Sequence, residues 1–248
     1  MIKIDNVSIT FGKGTPLQLQ ALKHINLDIH PGDFITVIGT NGAGKSTLLK
    51  MLAGDISSDK GEIYYLGKKI TRTGVETRSN WISHVYQDPR IGTCESLTIE
   101  ENMAFALRRG QKRGLKPAIN AKKKADFKIL LADLNLGLED RLHDPVILLS
   151  GGQRQALSLI MATLCPPALL LLDEHTAALD PKTAQTILAI SKRLVMEHQL
   201  TAFMVTHQLH HALEMGNRTL IMQEGAILRN ISEDEKNTLK PGDLLNHF

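Results

Sequence analysis

Apolar and polar residues alternate through the first thirty positions, where Ile2 and Ile4, then Ile25, Leu27 and Ile29, recur every second residue. That spacing predicts strands buried on one face. His30-Pro31-Gly32-Asp33 reads as a turn, and FITVIG (34–39) as a short strand buried on both faces. A helix is predicted from about Lys45 to Ala53, stopped by Gly54. GEIYYLG (61–67) and WISHVYQ (81–87) read as further strands. The period then becomes helical. Thr98-Ile99-Glu100-Glu101 is a capping box that opens a helix through about Arg109, and a second helix covers about Ala121–Leu134. From Pro167 strand–helix alternation returns, with ALLLL (168–172) a buried strand and Asp180-Pro181 an N-cap with proline at the first helical position of a helix to about His198. AFMVT (202–206) is another buried strand, followed by a short helix and a hairpin turning at Glu224-Gly225. Alternation in both halves predicts a parallel α/β core. The helical stretch of about 88–155 reads as an insertion into that core, and no repeat or low-complexity linker divides the chain.

Composition narrows this little. A chain of 248 residues, 42% hydrophobic and 22% charged, suits one large soluble domain or two small ones. No apolar run approaches the roughly 18 residues of a membrane span, and Ala168–Leu172 stops at Asp173. No basic stretch followed by an apolar one marks the start as a secretory signal. Cys94 and Cys165 have no paired or metal-binding spacing and are expected as free thiols, small packed residues of a reducing compartment. The net charge of +3 hides a concentration of eight Lys/Arg between Arg108 and Lys124, which leaves 21 basic and 26 acidic residues elsewhere. Such a stretch fits nucleic acid or anionic lipid, but more simply a solvated loop and helix face. No aromatic residue interrupts it, which argues against single-stranded nucleic acid as a partner.

Three stretches carry chemistry. GTNGAGKST, comprising Gly39, Thr40, Asn41, Gly42, Ala43, Gly44, Lys45, Ser46 and Thr47, fits G-x-x-x-x-G-K-[ST] between a predicted strand and helix. Its glycines let backbone N–H groups wrap phosphate oxygens at the helix's positive end. Lys45 is placed to reach the β- and γ-phosphates and Ser46 to coordinate Mg²⁺. LLLLDE (169–174) delivers Asp173 from the carboxyl end of a buried strand, where it serves a metal through water. Glu174 follows, suited to hold an attacking water as general base. In the third stretch, Ser150, Gly151, Gly152 and Gln153 precede a helical run. Two adjacent glycines inside a helix cost about 1 kcal/mol each relative to alanine, so something must approach this backbone closely.

With GTNGAGKST, Gln87, LSGGQ (149–153), LLLLDE, AALD (177–180) and His207 in that order, the chain resembles ABC-type ATPases over essentially its whole length. The resemblance implies a single ABC ATPase domain over 1–248: a RecA-like P-loop core, an antiparallel β-subdomain, a helical subdomain at about 88–155 and a short extension at 232–248. It implies ATP and Mg²⁺. Phe11 matches the position whose aromatic ring stacks on adenine, although the family more often has tyrosine there. Gln87 matches the glutamine that touches Mg²⁺ and opens the loop facing the transporter partner. His207 matches the histidine on the γ-phosphate, and Asp180 the acid that links two nucleotide sites besides its role as N-cap. Ser150, Gly151, Gly152 and Gln153 would cover the γ-phosphate held by a second copy in a head-to-tail homodimer.

Where the family usually has proline after the glutamate, this chain has His175. LLDEHTAALDPKTA, MVTHQLHHALEMGNRTLIMQEGAI and the ending PGDLLNHF most resemble the ATPase subunits of a group of bacterial importers described as tryptophan/tyrosine transport systems. The expectation is therefore an ATP-hydrolysing subunit, cytoplasmic and peripheral on the inner membrane face. It would drive a separate polytopic permease fed by a solute-binding protein, moving a small solute such as an amino acid. A soluble ATPase acting on nucleic acid or ribosomes and the ATPase of an exporter are the alternatives.

Overall fold

The computed structural model describes residues 1–111 and 118–245, so part of the basic stretch and the last three positions lie outside the described residues. In chain order the elements are β1 (Ile2–Phe11), β2 (Leu19–Ile29), β3 (Phe34–Gly39), α1 (Lys45–Ala53), β4 (Lys60–Tyr65), β5 (Lys68–Lys69), α2 (Val75–Arg78) and β6 (Ile82–Val85). They continue with α3 (Ile99–Ala106), α4 (Ala121–Ala132), α5 (Gly151–Thr163), β7 (Leu169–Asp173), α6 (Pro181–Glu197), β8 (Ala202–Val205) and α7 (Leu209–Glu214). Last come β9 (Arg218–Gln223), β10 (Ala226–Ile231), α8 (Glu233–Lys236) and α9 (Pro241–Leu245). They fall into two compact units, Met1–Arg78 with Gln199–Phe248, and Ser79–His198.

The first unit holds two kinds of sheet. β2, β1, β4 and β5 form an antiparallel sheet in that order. Its apolar alternation is broken in β1 and β2 at Asn6 and His24, both with positive φ, where the register shifts. Side chains hold these bulges: the Asn6 N–H donates to Asn26 Oδ1 at 2.9 Å and the His24 N–H to Ser8 Oγ at 3.0 Å. In the second sheet β3 lies between parallel β8 and β9, and β10 pairs antiparallel to β9. β3 is buried on both faces, as FITVIG predicted. Its one hydroxyl, on Thr36, donates to the Ala212 carbonyl at 2.9 Å and so ties α7 to the strand. The C-terminal carbonyls of α1 meet the fully buried Arg78, whose guanidinium donates to Met51 O, Leu52 O and Ile70 O at 2.6–2.8 Å. A cation at the negative end of a helix is favoured by the dipole, while burial pushes this arginine's pKa down to about 10.

In the second unit β6 and β7 pair in parallel, Ile82 opposite Leu169 through Val85 opposite Leu172. Between them the chain builds α3, α4 and α5. The capping box of α3 is present, with Thr98 and Glu101 each accepting from the other's backbone. α3 ends at Ala106, short of the predicted Arg109. The next amides turn tightly onto Phe105 O and Ala106 O, and the Arg109 guanidinium instead reaches Ala162 O of α5 at 3.2 Å. β6 likewise stops at Val85, because the Tyr86 carbonyl leaves the ladder to accept from the Gln155 amide of α5 at 3.1 Å. α5 is buried along most of its length. α6 shows a cleaner stripe, with Ala184, Ile187, Leu188, Ser191, Leu194 and Val195 inward. Of the two thiols expected to be packed, Cys165 is partly buried with Sγ 3.4 Å from Leu107 O, but Cys94 is exposed. The backbone around Cys94 is held by Asn102, which leaves its side chain outside.

Candidate functional site

In the first unit, the predicted phosphate loop leaves the carboxyl end of β3 and enters α1. The N-cap is Gly44 at φ 97°, a left-handed conformation that glycine takes without strain. Space requires glycine there as well, since a Cβ would lie 2.5 Å from Ala21 O of β2. A glycine cap brings no side chain over the first amides of α1, and the first turn contains no acid. The helix thus begins as an anion-favouring terminus. Ala43 N closes onto Thr40 O at 3.1 Å, while Ala43 O accepts from Gly225 N at the tip of the β9–β10 hairpin at 3.1 Å. Lys45, 5% exposed, folds back over the loop and donates to Gly39 O at 2.8 Å and Thr40 O at 3.0 Å. Thr40, Asn41, Gly42 and Ser46 are exposed, and Gly39 and Thr47 partly so.

The same unit places His207 at the same carboxyl edge. β8 runs parallel to β3 with Val205 opposite Val37, and Thr206 N donates to Val37 O at 3.1 Å. Exposed His207 follows directly, ahead of α7. Phe11 ends β1 opposite Leu19 of β2, the strand whose Ala21 backs Gly44. Its ring is 45% exposed, so it is not an ordinary buried strand residue.

The second unit brings its own group to one edge. β6 and β7 end together, so Gln87, exposed two residues beyond β6, emerges beside Asp173 and Glu174. Beyond Gln87, Asp88 is pushed down to about 2 by its hydrogen-bonded ion pair with Arg90 at 2.7 Å. Asp173 is the last residue of β7 and Glu174 has φ 44°. A left-handed non-glycine residue costs roughly 1–3 kcal/mol and persists only when its surroundings impose it. Here Ala177 N closes a turn onto Glu174 O at 2.9 Å, and buried His175 places Nε2 2.8 Å from Ser191 Oγ of α6. Asp180 caps α6 by accepting from Thr183 N at 3.1 Å. Hydrogen bonds from the Thr183 hydroxyl and backbone hold its carboxyl below the usual range.

At the start of α5 the structure separates residues that the sequence grouped. Ser150 and Gln153 form a capping box, Gln153 N donating to Ser150 Oγ and Ser150 N to Gln153 Oε1, each at 3.2 Å. The Gln153 amide also donates to Leu136 O at 3.1 Å, so this side chain, expected to face a phosphate, is first a cap of its own helix. The two glycines differ more. A Cβ on Gly152 would lie 2.2 Å from the Thr183 methyl of α6, whereas a Cβ on exposed Gly151 would meet only Leu179 Cδ2 at 3.7 Å. The chain's own packing therefore requires Gly152 but not Gly151. Sequence reading passed over Arg154, which bonds Glu95, Val146 O and Ile147 O, and Gln155, which holds Tyr86. Neither has a spacing signal; each is a polar residue in a mostly apolar helix.

A glycine-rich loop from a buried parallel strand to a helix, with an acid ending another such strand, defines a P-loop nucleoside triphosphatase. Residues 22–177 match the family model described as ABC transporter. The chain is 39% identical over 248 residues to the tyrosine transport ATP-binding protein of Clostridioides difficile, covering 100% of this chain and 98% of that one. It is 33% identical over 235 residues to a methionine import ATP-binding protein of Streptococcus agalactiae, spanning 92% of this chain but only 63% of that longer relative. Among solved structures, a dimeric ATP-binding cassette in a post-hydrolysis state with ADP and Pi is similar with a TM-score of 0.79 and 28% identity, covering 94% of this chain and 99% of that one. The chain belongs to the ABC transporter family and has the fold of its ATPase cassettes.

Proposed function

We propose that the chain is the ATP-hydrolysing subunit of a bacterial importer for a small solute of the aromatic amino-acid class. The observation that carries this is the full-length 39% identity to a tyrosine transport ATP-binding protein, with every family motif in order. In this reading the amides of residues 39–47 and Lys45 hold the nucleotide's phosphates, Phe11 stacks on adenine and His207 contacts the γ-phosphate. Glu174 is the general base that orients the attacking water. The uncovered amides of α1 and the acid-free first turn fit a polyanion. Ser46, Asp173 and Gln87 are oxygen donors of the kind Mg²⁺ takes, and Mg²⁺ would neutralise developing phosphate charge. Among the described residues no cluster of three or more His, Cys, Asp or Glu could hold a metal alone, consistent with a cation bound largely through phosphate and water.

The signature Ser150–Gln153 serves a nucleotide held by a second copy. Gly151 supports this, because its own chain leaves the position open to approach from outside. The catalytic subunit would sit on the cytoplasmic face of a permease, near Gln87 and the helical segment of 88–155, with a solute-binding protein delivering cargo. No described helix is long and apolar enough to cross a membrane; in this reading a separate subunit spans it. The test is ATP-dependent uptake of labelled tyrosine and tryptophan by cells lacking this gene. Wild type should restore uptake and co-purify with a polytopic protein, while Lys45→Ala should restore none. Unchanged uptake in the deletion strain, or strong salt-sensitive stimulation of ATP turnover by DNA or RNA, would refute the importer reading.

A further inference from the structure

The turn after β7 contains a buried polar contact that no motif of the family accounts for. His175 is 2% exposed and Ser191, in the middle of α6, is fully buried. The Ser191 oxygen lies 2.8 Å from both Ile187 O and His175 Nε2. With its single proton on Ile187 O, the hydroxyl accepts from the Nε2–H tautomer of His175. Rotation of the buried ring would break this contact, while Ser191 would keep its bond to Ile187 O. The preceding residue, Glu174, is the one left-handed non-glycine position in β7, α6 and the turn between them. One side of that residue is fixed by the β7 ladder and the other begins with His175.

We propose that His175 is a positioning residue for Glu174: its bond to Ser191 anchors the turn to α6 and imposes the backbone conformation from which the carboxylate projects. The inference rests on the reading of Glu174 as the base. Rotation of the Glu174 backbone toward the ordinary helical or extended regions would displace its carboxylate by an ångström or more, enough to lower turnover about 100-fold while leaving nucleotide binding intact.

The experiment compares the full chain with Ser191→Ala, His175→Ala, their double variant, His175→Gln and Glu174→Gln, measuring kcat, KM for ATP and the thermal midpoint. Ser191→Ala and His175→Ala should each lower kcat roughly 10- to 100-fold with KM within about twofold. The double variant should lose less than the two singles combined, since both remove the His175–Ser191 bond. His175→Gln, whose amide can still donate to Ser191, should recover most of the rate. Turnover within twofold of wild type in both single variants, with Glu174→Gln inactive, overturns the positioning role. A lowered midpoint with kcat per folded chain unchanged overturns it equally. Near-normal turnover by Glu174→Gln instead overturns the base assignment beneath it. If His175→Ala does not fold, Ser191→Ala, which deletes a single oxygen, decides alone.

Discussion

Replacing Gly152 by alanine places a Cβ 2.2 Å from the Thr183 methyl, where a carbon–carbon contact wants about 3.5–4.0 Å. Overpacking of this size costs about 1–3 kcal/mol. Higher helix propensity offsets up to about 1 kcal/mol of it. A net loss of about 1–2 kcal/mol should lower the thermal midpoint by roughly 2–8 °C in a chain of this size. At Gly151 the same substitution meets only an ordinary contact at 3.7 Å. The propensity term then acts alone, and the midpoint should hold or rise by up to about 4 °C. Melting curves of the nucleotide-free chain followed by circular dichroism read both. Thr183→Ser, which removes the methyl and keeps the hydroxyl, should return Gly152→Ala close to the midpoint of Thr183→Ser itself. ATP turnover adds the functional half: Gly151→Ala should keep its fold and, if the proposed shared site holds, lose activity, because its methyl would then stand where the second copy's nucleotide approaches. A Gly152→Ala midpoint at or above wild type, or no recovery with Thr183→Ser, would refute the packing argument. Undiminished turnover by Gly151→Ala would remove the support that this residue gives to a shared site.

Glu174→Gln should bind ATP normally, lose nearly all hydrolysis and accumulate as a dimer with ATP and Mg²⁺ on a sizing column; monomer under those conditions counts against a nucleotide-bridged pair. Lys45→Ala and Ser150→Arg should each be inactive alone, yet mixed heterodimers should regain one intact site and trap nucleotide there. No trapped nucleotide, with heterodimers present, sinks the shared-site reading. His84 is the acid-sensitive point of β6: burial lowers its pKa to about 4, and among the described residues neither ring nitrogen finds a hydrogen-bond partner. A folded-state pKa below the ordinary 6.5 means that its contribution is fully present above pH 6.5 and is lost as pH falls toward 4. The full difference is about 3 kcal/mol. His84→Leu should flatten the acid side of the stability profile over that window, and an unchanged profile would show that other groups set it.

The phosphate loop, the acid ending β7 and the capping box of α3 were legible because each is a run of adjacent residues with a fixed local geometry. β3 was legible to the residue, since FITVIG is buried from Phe34 to Ile38 and bounded by turn chemistry. What stayed hidden depends on partners distant in sequence. The bulges at Asn6 and His24 exist because Asn26 and Ser8 supply acceptors across the sheet. The Gln155 amide ends β6 from a position 69 residues away. The doublet Gly151-Gly152 reads as one feature in sequence, and only the position of Thr183 shows that two causes lie behind it. His175 stood out as a departure from the family pattern, but its acceptor, 16 residues on, has no spacing that marks it.

The last described segment bears on how this chain can be handled. Lys236 of α8, 5% exposed, donates to Ala212 O, Met215 O and Gly216 O at 2.7–3.0 Å and so closes the carboxyl end of α7. Leu244 of α9 is fully buried with Ile38, Ala212, Ile221 and Ile231. A shortened version ending after β10 would strip three carbonyls of the Lys236 cation and open an apolar face beside the strand that carries the phosphate loop. Affinity tags, fluorescent reporters and surface-attachment handles therefore belong beyond residue 245, and a junction placed between β10 and α9 would perturb the very helix that follows His207.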